Sequence, residues 1–434
     1  MKLKAVMVAL ALLPMPWSAA STLEQAVAQA IDTQPSVLAR YARYESVLAD
    51  RRSVQSEYLP QLSLRGEVGP ENTRYSSGRE LGKTLTRDDL SIRLTQELFS
   101  GFRTQANSER LWHEAESERL GVISSAENLA VQVSASYLDV LKARELLELA
   151  NRNVADHEKI LADIKGLVSK GYSSDSDIAQ VSSRLATARS SQSAARNNLA
   201  DIEAKYTRLV GVAPEQLIEP RLDTGLIPAS LNEALTRARE LHPELAAAEA
   251  DIRATDQEIR ASRAGFYPQV SLELSANTGH DQDGNEGRDE SARALLVLNY
   301  DLFNGGRDRA REQSSAWRRN EALNIRQKAT REVDEGTELA WNAWHALNEQ
   351  LTYLQQSVDA ATAAEAGYIT QFDLGRRTLL DVLNAKVEVF MARRNYVTSK
   401  YDRIQAGYRL FNATGQLAYA LRVNMPTQFA PREK

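Results

Sequence analysis

The chain has 434 residues, no cysteine, only 21 glycines and 12 prolines, and a formal charge of −5. Basic and acidic residues are interspersed along its length, which argues against nucleic acid as a partner, because nucleic-acid-binding proteins usually present a basic face. The absence of cysteine excludes disulfides, and the abundance of Ala, Leu, Glu, Gln, Arg and Ser favours very long helices stabilised by packing and assembly.

The first twenty residues have the pattern of a signal peptide. Lys2 and Lys4 precede an apolar run from Ala5 to Leu13, and Ser18, Ala19 and Ala20 supply the small residues of a cleavage site. The apolar run is too short to span a bilayer, which takes about 20 residues. Residues 1–20 are therefore predicted to be removed on export. The missing cysteine also removes the residue that would take a lipid anchor.

The rest of the chain is a duplicated unit. The segment Leu59–Leu64 recurs as Tyr267–Leu272, and Leu98–Arg103 recurs as Leu302–Arg307. Such internal repeats predict the same structure twice. We place the first repeat at residues 21–220 and the second at 221–417, followed by a C-terminal tail at 418–434.

Each repeat is predicted to contain a short helix, a second helix, two strands, a very long helix and a final helix. In the first repeat the bounds are about 22–32 for the short helix, 61–69 and 90–98 for the strands, 103–170 for the long helix and 176–210 for the final helix. In the second repeat they are about 230–241, 269–277 and 292–302, 307–373, and 378–412.

Apolar residues at heptad spacing support the long helix of the first repeat; they are Val133, Val140, Leu147, Val154, Leu161 and Val168. The second repeat keeps this register only in part, because Thr337 and Glu365 stand where Val133 and Leu161 would be expected. A soluble coiled coil explains the stripe equally well. A periplasmic coiled-coil interaction protein is therefore an alternative from another class.

The four strand segments distinguish this chain from such a coiled coil. In the first strand Leu62, Leu64 and Val68 alternate with polar residues, which is the pattern of a transmembrane β-barrel with lipid outside and water inside. Four strands cannot close a barrel, and open edges are not tolerated in lipid. A barrel made from this chain must therefore combine several copies.

We found no sequence pattern for catalysis, a cofactor or a metal. The five histidines lack metal-ligand spacing, and neither a phosphate-binding loop nor a nucleophile motif is present. The loop at 280–287 places Asp281, Asp283 and Asn285 at the odd spacing of a calcium loop, but Glu286 and Ala292 occupy positions that calcium loops give to Gly and Glu. The sequence therefore predicts a protein that is not an enzyme.

The chain resembles the TolC family of outer-membrane factors from about Ser21 to Leu417. The resemblance rests on the paired Pro-Gln motifs that enter the strands, the paired Leu-Phe-x-Gly motifs that leave them, and the segment Gly375–Asn384. It implies a mainly α fold with a small β part. Three copies would form a 12-stranded transmembrane β-barrel continuous with a periplasmic α-helical barrel.

The resemblance also implies partners and a role. Members of the unlipidated branch work with a periplasmic adaptor (membrane fusion protein) and an inner-membrane transporter, here expected to be of the ABC type. The segment Gly375–Asn384 looks closest to members that serve type I secretion of large proteins such as adhesins. Efflux of drugs or other small molecules is the alternative. The predicted location is the outer membrane, in contact with its lipid.

The sequence and the family resemblance together predict which residues form the gate and the turns. Glycine permits a reversing backbone, so Gly171 and Gly375 are predicted to form the two hairpin turns. By resemblance these turns form the gate at the periplasmic tip, with Asp381 facing the lumen and Asn384 where some members carry a second acid. Contacts between hairpins are expected from three further residues, namely Asp177, Arg377 and Phe372. Transitions between strands and helices are expected at Pro60, Pro268, Gly101 and Gly305.

Overall fold

A computed structural model of the protein describes residues 21–73 and 84–432. The predicted signal peptide and part of the first strand connection lie outside these ranges. The helices are α1 Leu23–Thr33, α2 Pro35–Gln55, α3 Arg103–Ser169, α4 Asp175–Val210, α5 Leu231–Leu241, α6 Pro243–Ser262, α7 Arg307–Asp373, α8 Leu379–Ala413 and α9 Leu417–Ala420. The strands are β1 Gln61–Asn72, β2 Thr84–Phe99, β3 Gln269–His280 and β4 Arg288–Asn299.

The element order is the same in both halves of the chain. Helices α3 and α7 each have 67 residues and α4 and α8 have 36 and 35. The mainly α fold with a small β part is confirmed. None of the helices in the described ranges is long and apolar enough to cross a membrane.

The four strands form one antiparallel sheet in the order β1-β2-β3-β4. The strand bounds predicted from the sequence were too narrow, and for β4 they were displaced. The second strand, predicted at 90–98, begins at Thr84, and the fourth, predicted at 292–302, ends at Asn299. Asn299 pairs with Gln269, and the preceding Pro268 has no N–H to extend the ladder.

The chain divides into two compact units, which do not coincide with the two repeats. One contains residues up to Leu38, Ser125–His242 and Val333–Thr427. The other contains Ala39–Ser124, Pro243–Glu332 and the residues from Gln428 onward, including the sheet. Each repeat therefore contributes to both units.

The heptad stripe of α3 is buried in the first unit at Val133, Val140 and Val154 and half-buried at its remaining positions. The two interruptions of the stripe in α7 have polar partners. The Thr337 hydroxyl is fully buried and donates to the Val333 carbonyl at 2.8 Å, while Glu365 binds Lys386 at 2.6 Å. A helix interior accepts such polar groups only when their hydrogen bonds are satisfied. The stripe is thus interrupted where side-chain hydrogen bonds replace apolar contacts.

The C-terminal residues are more structured than the predicted tail at 418–434 implied. Helix α9 begins at Leu417, and the buried Glu127 carboxylate accepts from the Ala418 N–H at 3.1 Å. Further on, Phe429 is buried against the Tyr41 ring, and its carbonyl accepts from Arg119. Burial of apolar side chains orders this segment.

Candidate gate at the helix hairpins

Two helix hairpins, α3–α4 and α7–α8, carry the predicted gate. Each reverses through a glycine in the left-handed conformation, with φ +77° at Gly171 and +69° at Gly375. The Tyr172 N–H donates to the Leu167 carbonyl, and the Arg376 N–H donates to the Gln371 carbonyl. These are Schellman hydrogen bonds, which terminate a helix at such a glycine. The structure places both predicted turn residues in the turns.

The two predicted acids occupy equivalent positions just after the turns. Asp381 accepts hydrogen bonds from the Thr378 N–H at 3.1 Å and from its hydroxyl at 2.8 Å. Asp177 accepts from the Ser173 hydroxyl at 2.7 Å and from the Ser174 N–H at 3.1 Å. Both carboxylates therefore close capping boxes at helix N-termini.

These hydrogen bonds keep both acids ionised. The N–H and then the hydroxyl of Thr378 lower the pKa of Asp381, and the hydroxyl of Ser173 and then the N–H of Ser174 lower the pKa of Asp177. Both residues are partly exposed. A fixed negative charge is thus present at the start of α4 and of α8 across the physiological pH range.

Within one chain Arg377 and Asp177 do not contact each other. The Arg377 guanidinium lies over the Tyr368 ring at 4.3 Å, donates to Gln371 at 3.0 Å and lies 3.9 Å from the Asp381 carboxylate. All these partners belong to its own hairpin. A role of Arg377 in contacts with another hairpin remains a prediction.

Apolar packing joins the two hairpins beneath the turns. Ile164 of α3, Val181 of α4 and Leu383 of α8 form a buried cluster, and Phe372 of α7 packs against it. The Phe372 ring needs no hydroxyl partner at this position. Within one chain Phe372 therefore makes apolar contacts with this cluster, and its role in holding the tip closed remains a prediction.

Polar links between the hairpins were missed by the sequence analysis. The Arg184 guanidinium donates to the Asn384 side-chain oxygen at 3.2 Å, which connects α4 to α8. Lys386 lies between Glu365 at 2.6 Å and Asp156 at 3.3 Å, and its side chain is 16% exposed. The interruption of the apolar stripe by Glu365 was the one sequence signal for this ion pair.

The predicted strand–helix transitions lie at the ends of the sheet. Pro60 and Pro268 immediately precede β1 and β3. Gly101 and Gly305 both have left-handed backbones, but a Cβ on Gly101 would lie 2.7 Å from the Ala264 carbonyl oxygen, whereas a Cβ on Gly305 would meet nothing within 4 Å. The duplicated motif therefore has one crowded and one open copy.

No group of three or more His, Cys, Asp or Glu side chains in the described ranges is placed to hold a metal ion. The Asp281 carboxylate accepts from the Gly287 N–H at 2.9 Å, so it closes its own loop.

Comparison with known proteins assigns the family. The model of the outer membrane efflux protein family matches residues 26–212 and again 234–416, once for each repeat. The chain belongs to the outer membrane efflux protein family. The resemblance to TolC-type channels and the predicted outer-membrane location are confirmed. The family is one of channel and transport proteins, which agrees with a chain that is not an enzyme.

Relatives of this chain include proteins named for efflux and for export. The outer membrane efflux protein BepC of Brucella suis is 24% identical over 87% of this chain and 82% of the relative. The pyoverdine export outer membrane protein OpmQ of Pseudomonas aeruginosa is 27% identical over 64% of this chain and 59% of the relative. TolC of Vibrio cholerae is 24% identical over 92% of both chains.

A crystal structure of a membrane protein from Pseudomonas aeruginosa has the same fold as this efflux protein. It superposes with a TM-score of 0.79 at 21% identity, covering 91% of this chain and 90% of that one.

Proposed function

We propose that this protein forms a homotrimeric channel that carries cargo across the outer membrane. The proposal rests on the two edges of the sheet. Among the described residues, β1 pairs only with β2 and β4 pairs only with β3, so each edge strand has one side without a partner. Both edges are 12 residues long. An open edge is not tolerated in lipid, and pairing β4 of one copy with β1 of the next would close 12 strands in a trimer.

The apolar face of the sheet supports a lipid contact. Leu64 and Leu296, which lie on the same face of β1 and β4, are 71% and 70% exposed. Large apolar patches on a protein surface mark contacts with another protein or with a membrane. The opposite face carries most of the polar residues of β1, β2 and β3, as water inside a barrel requires, although Leu295 and Val297 of β4 also lie on it.

Two classes of cargo are candidates, because channels for proteins and for small molecules are similar. The segment Gly375–Asn384 supports a protein substrate of a type I secretion system such as an adhesin, with an adaptor and an ABC-type inner-membrane transporter as partners. Small-molecule efflux is the second candidate. It is favoured by relatives that are named for efflux or for pyoverdine export.

The channel is tested by measuring the mass of the purified protein in detergent and its single-channel current in a planar bilayer. A trimer with a small resting conductance is the expected result. A monomer without conductance would refute the channel. Deleting the gene then separates the cargo classes, because a protein missing from the medium indicates secretion and increased retention of a small molecule indicates efflux.

Asp381→Asn is expected to reduce the cation preference of the resting channel severalfold, because a trimer would lose three close negative charges. Asparagine retains an oxygen for the capping hydrogen bonds, so the helix start should be preserved. The permeability ratio of K⁺ to Cl⁻ measures the effect. Asp373→Asn, at the exposed end of α7, is the matched control. Equal ratios in the wild type and Asp381→Asn would remove Asp381 from the gate.

Arg377→Gln is expected to raise the resting conductance, because it removes the guanidinium that holds Tyr368, Gln371 and Asp381 together at the turn. The neighbouring Arg376→Gln removes the same charge from an exposed position and serves as the control. Current at constant voltage is the readout. A similar rise in both variants would indicate a general charge effect.

A further inference from the structure

The charged residues on the polar face of the sheet lie in rows that run across the strands. Ser63 of β1 is in register with Arg93 of β2, Arg93 with Ser275 of β3, and Ser275 with Arg293 of β4. Residues in one row lie side by side across the strands on one face. We call this the arginine row; it contains two arginines and no acid.

The neighbouring rows have different charges. Toward the strand connections, the next row contains Arg65, Ser91, Asn277 and Ser291, and the row after it contains Glu67, Asp89, Gly279 and Asp289. On the other side lies a row with Gln61, Thr95, Glu273 and Leu295. Of these four rows the arginine row therefore carries the most positive charge, and an acidic row lies nearer the connections.

The arginines of this row differ from the other strand arginines in their contacts. Arg65 forms an ion pair with Glu67, and Arg87 lies 3.4 Å from Glu71. Among the described residues, neither Arg93 nor Arg293 has an acid within 4.0 Å, although Glu273 lies one row away. Both side chains are exposed. Their charges are thus available to a ligand.

The arginine row lies at the same height in the sheet as the apolar residues of the opposite face. Ser63 lies between Leu62 and Leu64 of the apolar face, whose rows continue across the sheet as Leu94 and Ile92. The arginine row therefore lies within the apolar band. A charge surrounded by walls of low dielectric constant acts over a longer range than a charge on an open surface. Two unpaired arginines at this level require a water-filled interior.

We propose that the arginine row is a binding and selectivity site for anionic groups on the exported cargo, namely carboxylates or phosphates. This inference rests on the proposed trimeric channel, in which two arginines per copy would give six around the pore. Strands about 4.8 Å apart place Arg93 and Arg293 about 10 Å apart at their Cα atoms, so one multivalent anion can contact both. Guanidinium groups bind such oxygens in a bidentate fashion. The row would favour cargo with a negative surface or anionic headgroups.

Block of single-channel current by inorganic tripolyphosphate tests the site. The anion is added to each chamber in turn, and the current of the wild type is expected to be blocked. Arg93→Gln/Arg293→Gln should weaken this block about tenfold or more, which corresponds to the loss of charged hydrogen bonds. Arg87→Gln, whose charge is offset by Glu67 and Glu71, should leave the block unchanged.

Arg93→Lys/Arg293→Lys separates charge from geometry and is expected to retain part of the block. The mass in detergent and the circular dichroism spectrum establish that each variant assembles. An unchanged block in a conducting, assembled Arg93→Gln/Arg293→Gln variant would overturn the anion site while leaving the channel intact. A wild type with no conductance would overturn the channel and this inference with it.

Discussion

Gly101→Ala should destabilise the protein by about 3 kcal/mol, because two effects combine at this position. The backbone of Gly101 has φ +65°, which an alanine adopts only with strain. In addition, the new Cβ would lie 2.7 Å from the Ala264 carbonyl oxygen and 3.0 Å from Tyr267 Cβ. The backbone between β2 and α3 would have to shift, and with it the neighbouring entry into β3.

Gly305→Ala is the matched control, because it lies at the equivalent position of the duplicated motif. Its φ of +69° is nearly the same, but its Cβ would enter open space. The free energy of unfolding should therefore fall only by the backbone strain of alanine at this φ, about 1 kcal/mol. The readout is the temperature at which the purified protein loses its helical circular dichroism signal. Equal shifts for the two variants would show that the contact with Ala264 does not matter.

Lys386→Met is expected to destabilise the helix pair α7–α8 by about 3 kcal/mol, because it leaves the Glu365 carboxylate without its partner. The Lys386 and Glu365 side chains are only 16% and 15% exposed. Asp156, the third member, is more exposed and retains its hydration. The midpoint of guanidinium unfolding of the solubilised protein measures the loss.

Lys386→Met/Glu365→Leu should recover stability to within about 1 kcal/mol of the wild type, because an apolar pair can replace a buried ion pair. Leucine is also the residue of the first repeat at this place, Leu161. If the double variant were as unstable as Lys386→Met, the unpaired Glu365 carboxylate could not be the cause of the lost stability.

The pH dependence of the wild type provides a second check on the same ion pair. Burial lowers the pKa of Lys386, but the hydrogen bond to Glu365 and the charges of Asp156 and Glu365 outweigh it, so the pKa is raised overall. A raised lysine pKa stabilises the folded state at pH values below the unfolded value of about 10.4, and this contribution is lost as the pH rises through the folded value. Lys386→Met/Glu365→Leu should lack this alkaline loss.

The sequence predicted features that depend on local patterns. Glycine at 171 and 375 indicated the hairpin turns, because a left-handed backbone is accessible to glycine with little strain. Alternation along Leu62 and Leu64 indicated strands with one apolar face, and the heptads indicated which side of α3 is buried. The structure agrees with each of these interpretations.

Features that depend on partners distant in the sequence were predicted poorly. The end of β4 at Asn299 depends on its pairing with Gln269, and the order in the C-terminal segment depends on Glu127 and Tyr41. Polar residues such as Arg184 and Lys386 have no periodic signal of their own. Their partners become apparent only when the helices are placed side by side.

The sequence by itself determined the duplication, the long helices, the two-faced strands and the glycine turns, because each arises from residues near one another along the chain. Only the tertiary structure decided which strand positions share a row. Register depends on hydrogen bonds between strands far apart in sequence, and a slip of one residue would move every side chain to the other face. That register brings Arg93 and Arg293 to one level of the sheet.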